Sequence, residues 1–161
     1  MAKNIEFALD HVELTYGEVI EIANQMLESI LTPINDLISV IGEDINSLSL
    51  DQLKDLMWKL QYKAYVLSEV KEKSSLKAEL AETIQKEKAA QRFMEVDGTA
   101  GAKANMALID TSEETVVQLL YENVSSQLKT KLDQLHRLVN VIQSILMTRM
   151  QEAKLSISSM E

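Results

Sequence analysis

From Leu53 onward, apolar side chains recur at steps of three and four: Leu53, Leu56, Met57, Leu60, Ala64, Leu67 and Val70. A helix completes a turn in 3.6 residues, so this spacing gathers them on one face. The start of that helix is marked twice. Ser49 and Gln52 have the spacing of a capping box, and Leu48 and Leu53 that of a hydrophobic staple. Beyond Lys71 the stripe thins to Leu76, Leu80 and Ile84, among alternating Lys and Glu. A second pattern begins near Val116 and runs through Val117, Leu120, Tyr121, Val124, Leu128, Leu132, Leu135, Leu138, Val139, Ile142, Ile145 and Leu146. It is wider than the two-position seam of a lone coiled coil and predicts packing against several helices.

The N-terminal third reads less simply. Ile5, Ala8, Leu9 and Val12 share a helical face, yet Ile5, Phe7 and Leu9 alternate as a strand would, and both readings stay open. Thr15 with Glu18 has capping-box spacing, which predicts a helix starting near Tyr16 and continuing through Ile20, Ala23, Leu27, Ile30 and Leu31. Thr32-Pro33 then predicts either a kink or a fresh helix start, with Ile34, Leu37, Ile38 and Ile41 leading to a stop at Gly42. Asp110-Thr111-Ser112-Glu113-Glu114 reads as a new cap or a polar turn within one helix. Residues 156–161 are expected to fray.

Asp97-Gly98-Thr99-Ala100-Gly101-Ala102-Lys103 is the strong break between the long tracts. Helices on either side would span roughly 65 and 80 Å, whereas a compact chain of this length is roughly 30 Å across. The fold expected is therefore all-α: a single-domain elongated helical bundle with a long antiparallel, coiled-coil-like hairpin. Its core would come from about 15–68 and 116–152. An arm over 70–115 would carry its tip at 97–101.

Composition supports the helical reading. One Pro and four Gly are too few for the turns of a β-sandwich, and only seven of 161 residues are aromatic. Burial must then fall to Leu, Ile, Val, Met and Ala. Trp58, Tyr62 and Tyr65, joined by Met57, are expected to fill the core or an interface, and Met147 and Met150 to pack. With no Cys, disulfides and thiolate chemistry are excluded. No apolar run is long enough to span a bilayer, and the first residues lack the basic-then-apolar order of a signal peptide. The expectation is a cytoplasmic protein that does not engage membranes.

The net charge of −9 is concentrated toward the N-terminus, where residues 1–46 hold nine acids against one Lys. Glu18, Glu21 and Glu28 form a candidate partner surface there. Lys77, Lys86, Lys88 and Arg92 are the candidate nucleic-acid contacts on the arm, although they alternate with Glu at salt-bridge spacing. Phosphate-binding loops and zinc-protease motifs are missing. His11 and His136 stand apart from metal-ligand partners, and Glu-x-x-His is absent, which argues against a di-iron bundle. No catalytic residue, cofactor or metal is expected.

The run from Lys77 to Lys103, with its Asp97-Gly98-Thr99 turn and the following Lys103-Ala104-Asn105-Met106-Ala107, resembles small helical bacteriophage proteins of the early region. The Leu/Ile-rich segment Val141-Ile142-Gln143-Ser144-Ile145-Leu146 adds to the resemblance. It implies a setting in DNA recombination or replication and no catalytic residue. The leading expectation is a non-enzymatic, homo-oligomeric interaction protein acting as a phage accessory factor with a protein partner. Self-association or core packing is assigned to Val117, Leu120, Tyr121, Val124, Leu128, Leu135, Leu138, Ile142 and Ile145. One alternative is an acidic inhibitor or decoy binding a host enzyme through residues 1–46. Another is single-stranded DNA binding through the Lys-rich arm.

Overall fold

The computed structural model describes the backbone of residues 2–158, and the side chains of 17–39, 41 and 45–155. The fold is all-α. Among the described residues four helices follow one another: α1 (Ala2–Asp44), α2 (Leu50–Glu95), α3 (Ala100–Asp110) and α4 (Ser112–Ser158).

Helix α1 resolves the N-terminal ambiguity in favour of helix and corrects two sequence expectations. It begins at Ala2, so Thr15 and Glu18 lie inside it rather than at its start. Pro33 also sits within it, starting no new helix, and Gly42 is passed before the end at Asp44. Helix α2 starts as its signals require. The Ser49 N–H donates to Gln52 Oε1 at 2.8 Å, and the Gln52 N–H donates to Ser49 Oγ at 3.2 Å. Each end of the box satisfies an amide that the first turn leaves free. Arg149 on α4 reaches the loop before α2, donating to the carbonyls of Asn46 and Leu48.

The hairpin turn lies where the break predicts. Gly98 has φ +140°, a region open to glycine and strained for other residues. Thr99 then caps α3, its hydroxyl accepting from the Ala102 N–H at 3.4 Å. One residue, Thr111, separates α3 from α4. It is buried, and its hydroxyl donates to the Ala107 carbonyl at 2.9 Å. Backbone bonds from Thr111 to Ala107 and from Thr115 to Thr111 carry the helical pattern across this joint.

The chain groups into two compact units. The first comprises Met1–Leu27 with Lys71–Gln127, and the second Glu28–Val70 with Leu128–Glu161. The segment expected to form the arm, 70–115, shares its unit with part of α1. There, Asn24 Oδ1 accepts from Gln127 Nε2 at 3.2 Å.

The two cores differ in side-chain size. In the second unit Ile34, Leu53, Leu60, Leu67, Leu128, Leu135 and Ile142 are fully buried. The first unit buries Val19, Ala23, Leu27 and Val124 together with small residues, Ser74, Ala78, Ala81 and Ala107. Small side chains let helix axes approach closely, the interaxial distance being set by the residues at the contact.

Candidate functional site

Helix α2 keeps one buried face along its length, and that register decides what it shows to solvent. The buried positions Leu60, Ala64, Leu67, Ser74, Ala78 and Ala81 continue the three-and-four stepping. Leu76, Leu80 and Ile84 were expected to continue the apolar stripe, but they fall on another face and are exposed. The reason is geometric. An unbroken helix holds its angular register, so the face set by Leu60 and Leu67 passes to Ser74 and Ala78 regardless of their hydrophobicity.

The same register exposes the aromatic residues. Trp58 is 69% exposed, Tyr62 64% and Tyr65 62%, so of the two roles expected for them, core or interface filling, the core is excluded. At i, i+4 and i+7 they form one row on α2 in the second unit. Lys54 and Lys59 beside them are held by Asp51 at 3.4 Å and Asp55 at 2.6 Å. The Tyr65 hydroxyl donates to Glu69 Oε1 at 2.8 Å. This hydrogen bond, reinforced by the carboxylate's charge, raises the phenol above its ordinary pKa. The row is aromatic, and Lys54 and Lys59 beside it are ion-paired. Single-strand binding grooves instead set aromatics among unpaired cations. Tyr and Trp are enriched at the centres of protein–protein contacts.

Tyr65 also borders a shallow groove between α2 and α4, lined by Gln61, Ala64, Ser68, His136, Val139 and Asn140. His136 is exposed there, as expected of a solvated helix face. No group of three metal-capable side chains occurs among the described residues. His11 lies outside the described side chains. Met147 and Met150 were expected to pack and are exposed instead. Met147 lies about 100° around α4 from buried Leu146, whereas Met150 keeps the register of Val139 and Leu146 and is exposed near the C-terminal end of the helix.

The candidate nucleic-acid residues are all engaged within the first unit. Lys77 donates to the Tyr121 hydroxyl at 3.2 Å and stands 4.8 Å from the centre of that ring. Lys86 pairs with Glu82 at 2.5 Å. Lys88 pairs across the hairpin with Glu114, and Arg92 with Asp110 and Glu95. With Gln85–Thr115 at 2.7 Å and Ser75–Ser125 at 2.8 Å, the pairs Lys77–Tyr121, Lys88–Glu114 and Arg92–Asp110 form an antiparallel polar ladder between α2 and the α3–α4 side. Phosphates would have to compete with these partners before gaining any counterion release. The cross-helix pairs were invisible in sequence, where each cation appeared beside acids of its own helix.

Within the ladder, Glu114 is mostly covered. Its hydrogen bond from Lys88 comes first among the causes holding its carboxyl below the ordinary carboxylate pKa, and Lys88 is raised in turn. Its second oxygen, Oε2, is buried with no hydrogen-bond partner among the described residues.

The candidate association stripe is mostly used inside the chain. Val124, Leu128, Leu135 and Ile142 are buried, Leu120, Tyr121, Leu138 and Ile145 are half-buried, and Val117 is exposed. Glu18, Glu21 and Glu28 are exposed on α1. No helix among the described residues is long and apolar enough to cross a membrane. No protein-family model, curated protein or solved structure matches this chain.

Proposed function

We propose that this chain is a non-enzymatic helical interaction protein, cytoplasmic and self-associating, that docks a protein partner through the outward row of α2. The observation that carries this reading is the exposure of Trp58, Tyr62 and Tyr65 together on one helix face. Large aromatic side chains held at a rigid helix surface supply contact area at small entropic cost, and such residues dominate binding energy where they are found. The resemblance around Asp97-Gly98-Thr99 supports the setting: an accessory factor in phage DNA recombination or replication.

A photo-crosslinking amino acid at Tyr62 tests the docking. In cells expressing the genes that adjoin this one, irradiation is expected to trap one defined protein, and Trp58→Ser is expected to abolish the product. Crosslinking no stronger than from exposed Gln151 on α4 would overturn the reading.

The acidic-decoy reading keeps one observation in its favour. Glu18, Glu21 and Glu28 face solvent without an ion pair among the described residues. Capture of a host enzyme that is lost on charge reversal of these three, while Trp58→Ser leaves it intact, would favour the decoy.

A further inference from the structure

Three exposed aliphatic residues of α2 share one narrow face in the first unit. Leu76 is 63% exposed and Leu80 60%, and Ile84 also reaches solvent. At about 100° per residue, Leu76 and Ile84 lie about 40° to either side of Leu80. Lys73 and Glu87 fall closer to its line, within about 20°. Both are exposed, and neither forms an ion pair among the described residues. The face therefore reads Lys73, Leu76, Leu80, Ile84, Glu87, with a cation at its N-terminal end and an anion at its C-terminal end. Ser74, Ala78 and Ala81, which supply the intrachain packing, lie at least about 100° away. Folding of the chain itself makes little use of the row.

The order of these residues is self-complementary in one direction only. Leu76 and Ile84 are equally spaced about Leu80, as are Lys73 and Glu87. An antiparallel second copy turned about Leu80 sets Leu80 on Leu80, Leu76 on Ile84, and Lys73 on Glu87. Two-fold symmetry repeats each unlike pair twice. A parallel copy would set Lys73 on Lys73 and Glu87 on Glu87, and like charges in contact reject that arrangement.

We propose that α2 pairs antiparallel with α2 of a second copy of this chain through Lys73, Leu76, Leu80, Ile84 and Glu87. The proposal rests on the self-association stated above and assigns it a face. The contact spans about four helical turns, or about 21 Å. That is less than a standard protein interface, so the dimer is reversible and depends on concentration.

Sedimentation velocity of the full chain over a concentration series tests the pairing, with circular dichroism confirming that each variant keeps its helices. Leu80→Glu is expected to weaken dimerisation by about tenfold or more, since it places two carboxylates face to face. Lys73→Glu and Glu87→Lys are each expected to weaken it by about two- to fivefold, as exposed ion pairs contribute little. The Lys73→Glu/Glu87→Lys double variant is expected to return to near the wild-type value. A wild-type dimer indifferent to Leu80→Glu would overturn this interface while leaving self-association in place. Single reversals that weaken without rescue in the double variant would overturn the antiparallel register and assign the face to a different apolar partner. A wild-type chain that stays monomeric throughout would overturn both the interface and the self-association it rests on.

Discussion

Lys88 and Glu114 show how a surface-looking charge becomes structural. In sequence Lys88 stands beside Glu87 and four residues from Arg92, as in many solvated helices. In the fold it reaches across the hairpin to Glu114, whose carboxyl is held below its ordinary pKa by that bond. The linkage follows from the directions of the two shifts. Glu114's contribution to stability is fully present above the unfolded carboxylate pKa of about 4.3 and is lost as pH falls through its lower folded value. Lys88's contribution is fully present below about 10.4 and is lost as pH rises through its higher folded value. Urea unfolding from pH 3 to pH 7 should therefore show a smaller acid-side loss of stability for Glu114→Gln than for the wild-type chain. Identical pH slopes would show that the pair is not formed.

At the scale of the helix, the question is which side of α2 is core. The boundaries of α2 were legible because Ser49 and Gln52 encode a cap through local hydrogen bonds. The turn was legible because Gly98 adopts a positive φ. Likewise, the buried face of α4 follows from the spacing of Leu128, Leu135 and Ile142. The inner face of α2 after Lys71 was not legible from hydrophobicity, because register places the small residues Ser74, Ala78 and Ala81 there. Nor was the exposure of Trp58, since an aromatic residue at helical spacing carries no mark of which side faces a neighbour. What distinguishes the faces is register counted from Leu60. Two truncations on α2 check it: Leu60→Ala should cost about 2–5 kcal/mol, the range for a fully buried Leu. Leu80→Ala, measured at a dilution that favours monomer, should change stability by about 0.5 kcal/mol or less. Comparable losses at the two positions would mean that the inner and outer faces have been misassigned.

For the molecule as a whole, the division of labour follows from where large apolar area remains after folding. The broad stripe of α4 is largely spent inside the chain, so it is unavailable for association without opening a core. Helix α2 instead leaves Trp58, Tyr62 and Tyr65 exposed in the second unit and Leu76, Leu80 and Ile84 in the first. Long-range repulsion between two chains of net charge −9 opposes association. Pairing of two copies as proposed therefore needs a local attraction, which opposed Lys73 and Glu87 would provide. The absence of cysteine gives a clean way to measure it. Single variants Leu80→Cys and Leu108→Cys place one thiol on the proposed two-fold axis or on exposed α3. Under mild oxidation at a concentration near the dimer midpoint, Leu80→Cys should form a covalent dimer much faster than Leu108→Cys. Equal rates for the two variants would contradict antiparallel pairing through α2.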